Sequence, residues 1–525
     1  MKLVTAAQMR ALEEQASAAG RPPEALMEDA GLGVAQEVWI NLGAVAERKI
    51  VLLIGPGNNG GDGLVAARHL HEWGGQVVVV LLAARGEDDP NLRQLIEQNV
   101  TVHSLADGGF DALDEALAGA DAIVDAVLGT GRGRPLKGAL AQAMDKVSAA
   151  RGDVDGGPGR PGLTVPKVFA VDLPTGVDCD SGAADPHALR ADVTVVLGCS
   201  KVGLHTLPGA EYAGRIEVID IGLPSEALQT LPVELLNAAW VRERLPPRPS
   251  GSNKGTFGRV LVVAGSKLYV GAARLAALGA LRAGAGLATL ACPASVQPLV
   301  AAGLTEATYL PLPDVDGFVA AEAAVDVARA LPNYDALLLG PGLGLGAPQE
   351  AFVRQLLFSL PEDGPKVLID ADGLNNLARL PRWWERVSAS CVLTPHPGEQ
   401  ARLAGRSIAE IQGDRLSAAR EAAQAWGQTV VLKGAYTVVA TDDGRAGVNP
   451  YANPALASAG TGDVLAGAIA GLMAQGLAPF EAACCGAYLH AASAEGLRPE
   501  LGDAGLLAGD LLPELPRTLR DLRAV

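Results

Sequence analysis

The sequence predicts an α/β protein made of two doubly wound α/β domains in series, spanning residues 1–235 and 236–525. Two observations support this prediction: short apolar runs alternate with stretches of helical spacing, and the alternation restarts after a segment rich in proline and arginine. Runs that are apolar throughout are typical of parallel strands buried on both faces of a sheet. The length of 525 residues allows two such domains, each with its own core.

The first domain is predicted to begin with two helices and to continue with five buried strands. The predicted helices are Thr5–Ala19, Pro23–Asn41, Leu64–Trp73 and Asn91–Gln98. The predicted strands are Ile50–Ile54, Val77–Leu82, Ala122–Ala126, Val168–Val171 and Val193–Leu197. The segment Arg151–Pro166 is rich in glycine and proline, so we expect a surface loop or an insertion that the core does not need.

The second domain repeats the pattern after Arg242–Lys254, whose composition is typical of a linker. Its six predicted strands are Val260–Ala264, Leu287–Leu290, Ala336–Leu339, Val367–Ile369, Cys391–Leu393 and Val430–Leu432. In open sheets of this kind, ligands bind at the carboxyl ends of the strands. The residues that follow each strand are therefore the candidates for chemistry.

Charge and composition narrow the class of partner. The formal net charge is -17 at pH 7, which argues against binding to nucleic acid or to an anionic membrane. The longest purely apolar run, Val77–Ala84, is far shorter than the ~20 residues that a membrane-spanning helix needs. The N-terminus lacks a signal-peptide pattern, and the six cysteines lack Cys-x-x-Cys spacing. We therefore expect a cytoplasmic protein with reduced thiols.

The loop after strand Ile50–Ile54 carries the first candidate site. Its sequence over Gly55–Gly63, GPGNNGGDG, formally fits the Gly-x-Gly-x-x-Gly pattern of dinucleotide binding, which alone is weak evidence. Asn58, Asn59 and Asp62 crowd the place where bare backbone would contact a pyrophosphate. Their oxygens suit a cation or a sugar hydroxyl, and this polar run argues against an ordinary nicotinamide dehydrogenase.

Two further strands of the first domain also end in polar residues. Asp125 leads into Gly129–Pro135, a loop with two arginines suited to phosphate, and Asp172 leads into Leu173–Gly176. The three loops would meet at one edge of the sheet, which predicts a binding site there. An Asp at the end of a strand can also simply cap the next turn, so each one taken alone leaves that alternative open.

These motifs resemble the N-terminal, YjeF-type domain of NAD(P)H-hydrate epimerases, which has a Rossmann-like fold. The resemblance covers about residues 1–235 and rests on GPGNNGGDG, the Asp125 loop, the segment VDLPTGVD and Lys201–Leu204. It implies a potassium site at Asn59, Asp125 and Thr175, and a catalytic role for Asp172 at the nicotinamide ring. Thr175 stands where the family often has Ser, and its hydroxyl can supply the same oxygen. The residues implied to contact the damaged dinucleotide are Asn58, Asn59, Gly60, Gly61, Asp62, Gly129, Thr130, Gly131, Arg132, Gly133, Arg134, Pro135 and Asp172.

The run Ala459–Asp463, AGTGD, is the most informative stretch of the second domain. Its two glycines let backbone N–H groups approach an anion closely, and the apolar residues that follow predict a buried helix. A helix N-terminus favours a phosphate or a developing alkoxide. An Asp beside such a site suggests a base that takes a proton from a hydroxyl attacking phosphorus. The alternative is an ordinary capped helix with a glycine-rich entry.

Four other loops at strand ends repeat this combination of glycine with oxygen or charge. The loop Gly340–Gly344 lets a phosphate or ring approach the backbone. In Asp370–Asn375, two carboxylates could hold Mg²⁺ or structure a loop. In Thr394–Glu399, a histidine between two prolines could bind a ligand or make a structural hydrogen bond. Lys433–Thr437 offers an ammonium and backbone donors to a nucleotide phosphate.

Together with AGTGD, these loops resemble the ribokinase-like superfamily, and their combination resembles its NAD(P)H-hydrate dehydratase branch over about residues 240–525. The resemblance implies that the adenine nucleotide is bound by Lys433, Gly434, Ala435, Tyr436, Thr437 and Gly462. It implies contacts to the hydrated nicotinamide nucleotide from Ala272, Gly342, Gly344, His396 and Asp463.

The two resemblances together imply a bifunctional repair enzyme for hydrated nicotinamide nucleotides. NADH or NADPH hydrated at C6 (NADHX or NADPHX) forms R and S epimers. The first domain would interconvert them, and the second would dehydrate the S form with ADP and Mg²⁺, releasing AMP and phosphate, with Asp463 deprotonating the C6 hydroxyl. We also expect a homo-oligomer. The alternative is a kinase of a small alcohol or vitamin precursor whose N-terminal domain binds a nucleotide for regulation.

Overall fold

A computed structural model describes residues 1–86, 88–131, 135–152 and 165–524, with the side chains of all of these except 106–108. The residue contacts divide the chain into two units, Met1–Leu231 and Pro232–Val525. This division lies before the predicted boundary between residues 235 and 236, because Val233–Leu235 pairs with a strand of the second unit. None of the helices in the described ranges combines the length and apolar composition that a bilayer span requires.

In its described ranges, the first unit contains a seven-stranded parallel sheet and a separate two-stranded parallel pair. The strands are β1 (Leu3–Val4), β2 (Lys49–Ile54), β3 (Gln76–Leu81), β4 (Thr101–Ser104), β5 (Ala122–Ala126), β6 (Lys167–Val171), β7 (Val193–Leu197), β8 (Ser200–Lys201) and β9 (Arg215–Ile219). The sheet order is β4-β3-β2-β5-β6-β7-β9, and β1 pairs with β8. The order changes direction between β2 and β5, which opens a crevice at the carboxyl ends of these strands.

The helices of the first unit connect these strands and bury their apolar faces against the sheet. Thr5 caps the first helix by accepting the Gln8 N–H, and Gly43 ends the second helix in the left-handed conformation, with φ 75°. The helices are α1 (Ala6–Ala18), α2 (Pro23–Leu42), α3 (Asn58–Glu72), α4 (Pro90–Glu97), α5 (Leu105–Leu117), α6 (Ala139–Arg151), α7 (Ala210–Ala213) and α8 (Ser225–Gln229).

Most predicted elements of the first unit are confirmed. All five predicted strands are present, and three of the four predicted helices match α1, α2 and α4. The helix predicted at Leu64–Trp73 is wrong in its start, because α3 already begins at Asn58. The strands β4 and β9 were not predicted, because they lie at the sheet edges with only partly buried side chains. In the predicted insertion Arg151–Pro166, residues 153–164 lie outside the described ranges.

The second unit is built on a ten-stranded sheet. The strands of this unit are β10 (Val233–Leu235), β11 (Arg259–Val263), β12 (Leu287–Pro293), β13 (Thr308–Leu312), β14 (Asp314–Val315), β15 (Phe318–Val319), β16 (Ala336–Leu339), β17 (Lys366–Ile369), β18 (Cys391–Leu393), β19 (Thr429–Leu432), β20 (Val438–Ala440) and β21 (Ala446–Val448). The order in the sheet is β10-β21-β20-β19-β18-β17-β16-β11-β12-β13. Neighbouring strands are parallel, except that β20 runs antiparallel to both β19 and β21. The order changes direction between β11 and β16, which again places a crevice at the carboxyl ends.

Two helices of the second unit, α10 (Val270–Arg282) and α18 (Thr461–Ala474), pack closely because glycine lies on both sides of their contact. A Cβ at Gly467 would lie 2.1 Å from the Ala276 carbonyl oxygen, and one at Gly279 would lie 2.6 Å from the Val464 carbonyl oxygen. The helices are α9 (Ala238–Arg244), α10 (Val270–Arg282), α11 (Gln297–Ala301), α12 (Ala323–Ala330), α13 (Ala347–Leu357), α14 (Asp372–Leu377), α15 (Pro397–Ala404), α16 (Ile408–Gly413), α17 (Arg415–Trp426), α18 (Thr461–Ala474), α19 (Pro479–Leu501) and α20 (Ala508–Ala524).

The predicted fold class, two doubly wound α/β domains in series, is confirmed, and all six strands predicted for the second domain are present. The linker predicted at Arg242–Lys254 is wrong, because this segment lies inside the second unit. Its first residues end α9. The Arg248 guanidinium then lies 3.9 Å from the centre of the Phe257 ring and donates to Gln475 Oε1 at 2.9 Å. These contacts hold the segment against the second unit.

Candidate active sites

A cavity of about 1030 Å³ opens in the first unit, where loops follow β2, β5 and β6. It lies where the strand order changes direction between β2 and β5. The structure therefore brings the three polar loops around one cavity. The predicted site residues that line it are Asn58, Asn59, Asp62, Gly129, Thr130, Gly131 and Asp172.

The polar run after β2 forms the first turn of a helix rather than a loop. Gly57 is the extended residue that precedes α3, and Asn58–Gly61 begin it. A Cβ at Gly60 would lie 2.1 Å from the Gly55 carbonyl oxygen, so glycine allows the helix to start this close to the preceding strand. The first turn supplies free backbone N–H groups suited to a phosphate.

Asp125 is fully buried at the end of β5. Its carboxylate accepts hydrogen bonds from the backbone N–H and the hydroxyl of Thr175, both at 2.7 Å. The Thr175 hydroxyl oxygen accepts the Leu128 N–H at 3.1 Å. Burial raises the pKa of Asp125 to about 6, and the hydrogen bonds from Thr175 offset this only in part. No ammonium or guanidinium group of the described residues contributes to this balance.

Asn59 lies beside the same pair of residues. A Cβ at Gly129 would lie 3.2 Å from Asn59 Oδ1, and Gly129 directly follows Leu128, which bonds to Thr175. The Asn59 side-chain nitrogen is buried, and no described residue accepts a hydrogen bond from it. A buried polar atom without a partner is uncommon in a folded protein and indicates a place for a further group. Asn59, Asp125 and Thr175 thus form one region of oxygen donors.

Asp172 follows β6 with φ 68°, a left-handed conformation that is rare for residues other than glycine. Its Oδ1 accepts the Leu197 N–H at 3.1 Å and forms an ion pair with Lys201 Nζ. Lys201 is fully buried and also donates to the Leu197 carbonyl at 3.1 Å. This pair holds the carboxylate in a strained backbone position, as is common at functional sites. Lys201 belongs to the motif that carries the resemblance, but the sequence assigned it no role.

Two further carboxyl groups line the same cavity. The Asp62 side chain is buried, with 7% of the residue exposed. Burial, followed by the charges of Asp172 and Glu13, raises the pKa of Asp62 well above its usual range. Burial and the charge of Asp172 also raise the pKa of Glu13, which lies on α1. Glu13 was missed because its helix precedes all the motifs and its pattern indicated only packing.

Some residues of the predicted first site remain predictions. Arg132, Gly133 and Arg134 lie outside the described residues, so the predicted phosphate contacts of these arginines are untested. Pro135 is described and is exposed. Gly61 lies inside the first turn of α3, where a Cβ would approach Met27 Cε at 2.5 Å.

The second candidate site lies at the start of α18, as the AGTGD run predicts. Gly460 precedes the helix with φ 87°, and Thr461 is its first residue. Asp463 lies in the first turn and is partly buried. Burial raises the pKa of Asp463 to about 7, the charges of Asp370 and Asp372 add to this rise, and the charge of Lys433 opposes it. Asp463 can therefore exchange a proton near neutral pH.

Lys433 joins the loops after β17, β18 and β19 to this helix start. Its Nζ lies 2.7 Å from Asp370 Oδ1 and 3.9 Å from Glu399 Oε2. A Cβ at Gly462 would lie 3.5 Å from the same Nζ. Although burial disfavours the charged form, the carboxylates of Asp370 and Glu399 raise the pKa of Lys433. A cation is thus held beside the free N–H groups of α18, where an anion would be attracted to both.

The two carboxylates of the DADGLN segment have different partners. Asp370 accepts the Thr394 hydroxyl at 2.8 Å in addition to its ion pair with Lys433. Asp372 accepts the Gly344 N–H at 2.8 Å and so structures the neighbouring glycine loop. Of the two roles that the sequence left open for this pair, these contacts favour loop structuring.

His396 makes the structural hydrogen bond that the sequence raised as one alternative. Its Nδ1 accepts the Gly398 N–H at 3.0 Å and so caps α15. The imidazole remains 52% exposed, and its Nε2 lies 3.5 Å from Glu399 Oε1. Burial, with the charges of Lys433 and Arg402, lowers the pKa of His396. One ring nitrogen is therefore occupied by capping, while the other can still meet a ligand.

The glycine loop after β16 approaches the start of α10. Gly342 has φ 67°, and a Cβ there would lie 2.5 Å from Tyr269 Cβ and 3.1 Å from Ala272 Cβ. Gly344 has φ 84°, and a Cβ there would lie 2.7 Å from the Phe318 ring. The structure thus places Ala272 beside Gly342. Positions 342 and 344 of the loop both require glycine.

The turn Lys433–Thr437 and the helix start are each held by a residue that the sequence analysis missed. In the turn, the Thr437 hydroxyl donates to the Gly434 carbonyl at 2.8 Å, and Ala435 and Tyr436 lie between these residues. Arg415 on α17 donates to the Lys433 carbonyl at 3.1 Å, and His490 on α19 donates from Nε2 to the Thr461 carbonyl at 2.9 Å. Burial lowers the pKa of His490 to about 4, so the ring is neutral. Neither residue lies near a motif in the sequence.

Comparison with known proteins gives the same division of the chain. A family model described as YjeF-related protein N-terminus matches residues 23–203, and one described as NAD(P)H-hydrate dehydratase matches residues 260–517. The Moorella thermoacetica protein named bifunctional NAD(P)H-hydrate repair enzyme Nnr is 41% identical, covering 99% of this chain and 97% of its own. The protein of the same name from Thermofilum pendens is 36% identical, covering 100% and 97%.

A solved structure resembles the second unit. The ADP/ATP-dependent NAD(P)H-hydrate dehydratase from Bacillus subtilis, co-crystallised with ATP and Mg²⁺, matches with a TM-score of 0.50 and 36% identity. The match covers 56% of this chain and 100% of the Bacillus chain. With the family models and the full-length relatives, this places the chain in one family: it belongs to the bifunctional NAD(P)H-hydrate repair enzymes.

Proposed function

We propose that the first unit interconverts the R and S epimers of NADHX and NADPHX, and that the second unit dehydrates the S epimer with ADP, releasing AMP and phosphate. The observation that carries this proposal is the start of α18, where Asp463 lies in the first turn and Lys433 lies beside Gly462. A base, a cation and free backbone N–H groups at one point are what phosphoryl transfer to a hydroxyl requires.

In the second unit, the C6 hydroxyl of the S epimer gives its proton to Asp463 and attacks the terminal phosphate of ADP, and AMP leaves. The bound phosphate is a far better leaving group than hydroxide. Its departure from C6 and the loss of a C5 proton restore the double bond of the reduced ring. Lys433 and the N–H groups at Gly462 stabilise the charge on the transferred phosphoryl group.

The predicted substrate residues of the second unit have positions that suit this reaction. Ala272, Gly342 and Gly344 provide close backbone approach for a flat ring, and His396 offers its outer ring nitrogen. The turn Lys433–Thr437 offers its backbone to the adenine nucleotide. Asp370 and Asp372 already have protein partners, so Mg²⁺ fits best as an ion carried by the nucleotide phosphates.

In the first unit, residues 58–62 and 129–135 hold the nucleotide, and Asp172 contacts the reacting ring. Of these residues, the cavity is lined by Asn58, Asn59, Asp62, Gly129, Thr130, Gly131 and Asp172. Asn59, Asp125 and Thr175 fit a potassium ion, because they combine a buried carboxylate, a hydroxyl and the oxygen of a buried amide. A singly charged cation there would neutralise Asp125 and attract an oxygen of the substrate.

Replacing potassium and sodium with a large organic cation tests the ion. We expect epimerisation to slow while dehydration of the S epimer continues, because the oxygen donors at Asn59, Asp125 and Thr175 belong to the first unit alone. The rate of R-to-S conversion measured by chromatography is the readout. Full epimerase activity without either ion would remove the metal from the proposal.

Phosphate stoichiometry tests the proposed dehydration against the kinase alternative. Incubation of NADPHX with ADP is expected to yield NADPH, AMP and inorganic phosphate in equal amounts. A stable phosphorylated product without phosphate release would favour a kinase. The expectations of a homo-oligomer and of a cytoplasmic location stay predictions.

A further inference from the structure

Two aspartates in the cavity of the first unit have opposite surroundings. The Asp172 carboxylate is bound at Oδ1 by the ammonium of the fully buried Lys201 and by the Leu197 N–H. The same ammonium also donates to the Leu197 carbonyl at 3.1 Å, so it is fixed in place and in turn fixes Oδ1 of Asp172. Asp172 lines the cavity, so its second oxygen, which has no partner among the described residues, can meet a substrate.

Asp62 has the opposite environment. Its carboxyl group is buried at the same cavity, and no hydrogen bond or ion pair from the described residues reaches it. Burial and the negative charges of Asp172 and Glu13 raise its pKa well above the usual range, and the charges of Lys201 and Arg85 oppose this only in part. The cavity therefore holds one carboxyl group whose surroundings favour the protonated form and one that is bound by an ammonium, the pattern that separates an acid from a base.

Arg85 is not free to neutralise Asp62. Its guanidinium donates to Asp89 at 2.7 Å and 2.9 Å and to the Gly55 carbonyl at 2.6 Å. Lys201 is likewise held by Asp172 and by the Leu197 carbonyl. Among the described residues, neither of these two cations therefore forms an ion pair with Asp62.

The next inference rests on the epimerase activity proposed above. Asp62 and Asp172 together favour one of two chemical routes for inverting C6. The epimerised carbon carries a hydroxyl and is bonded to the ring nitrogen N1. It can lose its hydroxyl and regain one from the opposite face, or the ring can open at the C6–N1 bond and close again. In the first route, the residue that protonates the leaving hydroxyl during R-to-S conversion must act as the base during S-to-R conversion, so the acid and the base exchange roles. In the second route, both residues return to the same protonation state after each turnover, whichever epimer reacts.

We propose that Asp62 and Asp172 are the acid and base of a ring-opening epimerisation, and that Lys201 is the positioning residue that holds Oδ1 of Asp172 and leaves the other oxygen to the substrate. The fixed difference between the two carboxyl groups suits this route, because one resting state then serves both epimers.

The step balances without an added reactant. The free oxygen of Asp172 takes the C6 hydroxyl proton, the C6–N1 bond breaks to leave an aldehyde at C6, and N1 receives the proton of Asp62. Rotation about the C5–C6 bond presents the other face of the aldehyde. N1 then attacks C6, its proton returns to Asp62, and Asp172 returns its proton to the new alkoxide.

Oxygen labelling tests the route in the full chain. R-enriched NADPHX is incubated in H₂¹⁸O without ADP, so that the second site is idle, and the S product is analysed by mass spectrometry against an enzyme-free reaction. We expect inversion with the original oxygen retained. Incorporation of one solvent oxygen per inversion would overturn the ring-opening route. An absence of any enzyme-dependent inversion would instead refute the epimerase activity itself.

Substitutions test the roles of the residues. Asp62→Asn keeps the shape but removes the acidic proton, so kcat should fall by about 10²–10⁴-fold with KM nearly unchanged. Asp111→Asn, the same substitution at an exposed position on α5 that does not line the cavity, should leave kcat as it is. Lys201→Met should lower kcat rather than raise KM, since Asp172 would lose the group that holds its Oδ1. A normal kcat in Asp62→Asn would overturn the role of Asp62. Thermal unfolding shows whether Lys201→Met is folded, and the test of Asp62 does not depend on that result.

Discussion

At Asp463, burial and neighbouring charge combine to place the pKa of one carboxyl group near neutrality. Asp463→Asn keeps the loop and the helix start but cannot accept the hydroxyl proton. Because a positioned general base contributes about 10²–10⁴-fold, the dehydratase kcat should fall by that order while the affinity for ADP changes only modestly. Steady-state kinetics with the S epimer, and calorimetry for ADP, provide the measurements. A near-normal kcat would show that the AGTGD run is only a capped helix start and that Asp463 is not the base.

Gly462→Val is the matched contrast to this variant. A Cβ at Gly462 already lies 3.5 Å from Lys433 Nζ, so a branched side chain would intrude on the space beside the ammonium. We expect ADP binding to weaken first in this variant, with the base still in place. If Asp463→Asn and Gly462→Val showed the same loss of affinity for ADP, the roles of base and anion site could not be assigned to different residues.

The pH dependence of dehydration follows from the same residue. The pKa of Asp463 is raised to about 7, and a general base is active only when ionised. The kcat/KM for the S epimer should therefore be level above about pH 7 and fall tenfold per unit below it. Asp463→Asn should remove this fall in kcat/KM at low pH. A wild-type rate that rises as pH falls through neutrality would contradict the assignment.

The contact between α10 and α18 makes a prediction at the level of whole elements. A Cβ at Gly467 would lie 2.1 Å from the Ala276 carbonyl oxygen, and backbone cannot move as a side chain can. Gly467→Ala should force the helices apart and cost about 1–3 kcal/mol of unfolding free energy. Chemical denaturation of the full chain measures this, with Gly413→Ala as control because a Cβ there meets open space. An equally stable Gly467→Ala protein would contradict the tight packing.

Elements with a strong local signal were predictable from the sequence. Buried strands such as β16 and β18 are apolar throughout, and their predicted bounds match the structure. The start of α3 was not predictable from propensity, because its glycines disfavour a helix. One of them, Gly60, is required by its close contact with the Gly55 carbonyl, which the local sequence does not reveal. The linker prediction failed because Arg248 and its neighbours have a linker composition but pack through specific contacts that composition does not encode.

The candidate sites show the same limit. Motif residues such as Asp125, Asp172 and Asp463 follow strands or begin a helix, so their placement was predictable. The surroundings of these residues were not predictable. Lys201 reaches Asp172 from a later element of the chain, and His490, which lies outside any motif, reaches Thr461 from another helix. Which oxygen of a carboxylate is occupied, and which is open to a cavity, is information that only three-dimensional packing supplies.

At the scale of the whole molecule, the central claim is that two independent sites act in sequence on one substrate. The residues assigned to epimerisation all lie within Met1–Leu231, and those assigned to dehydration all lie within Pro232–Val525. Asp172→Asn should therefore abolish conversion of the R epimer while dehydration of the S epimer continues, and Asp463→Asn should do the reverse.

The most direct measurement follows the recovery of reduced-ring absorbance when R-enriched NADPHX is mixed with ADP. The wild-type chain should recover nearly all of the absorbance. Asp172→Asn alone should recover only the S fraction and the slow uncatalysed remainder, and Asp463→Asn alone should recover almost none. An equimolar mixture of the two variants should restore full recovery, because the epimerised substrate can reach an intact second site. Equal loss of both activities in either single variant would contradict the account.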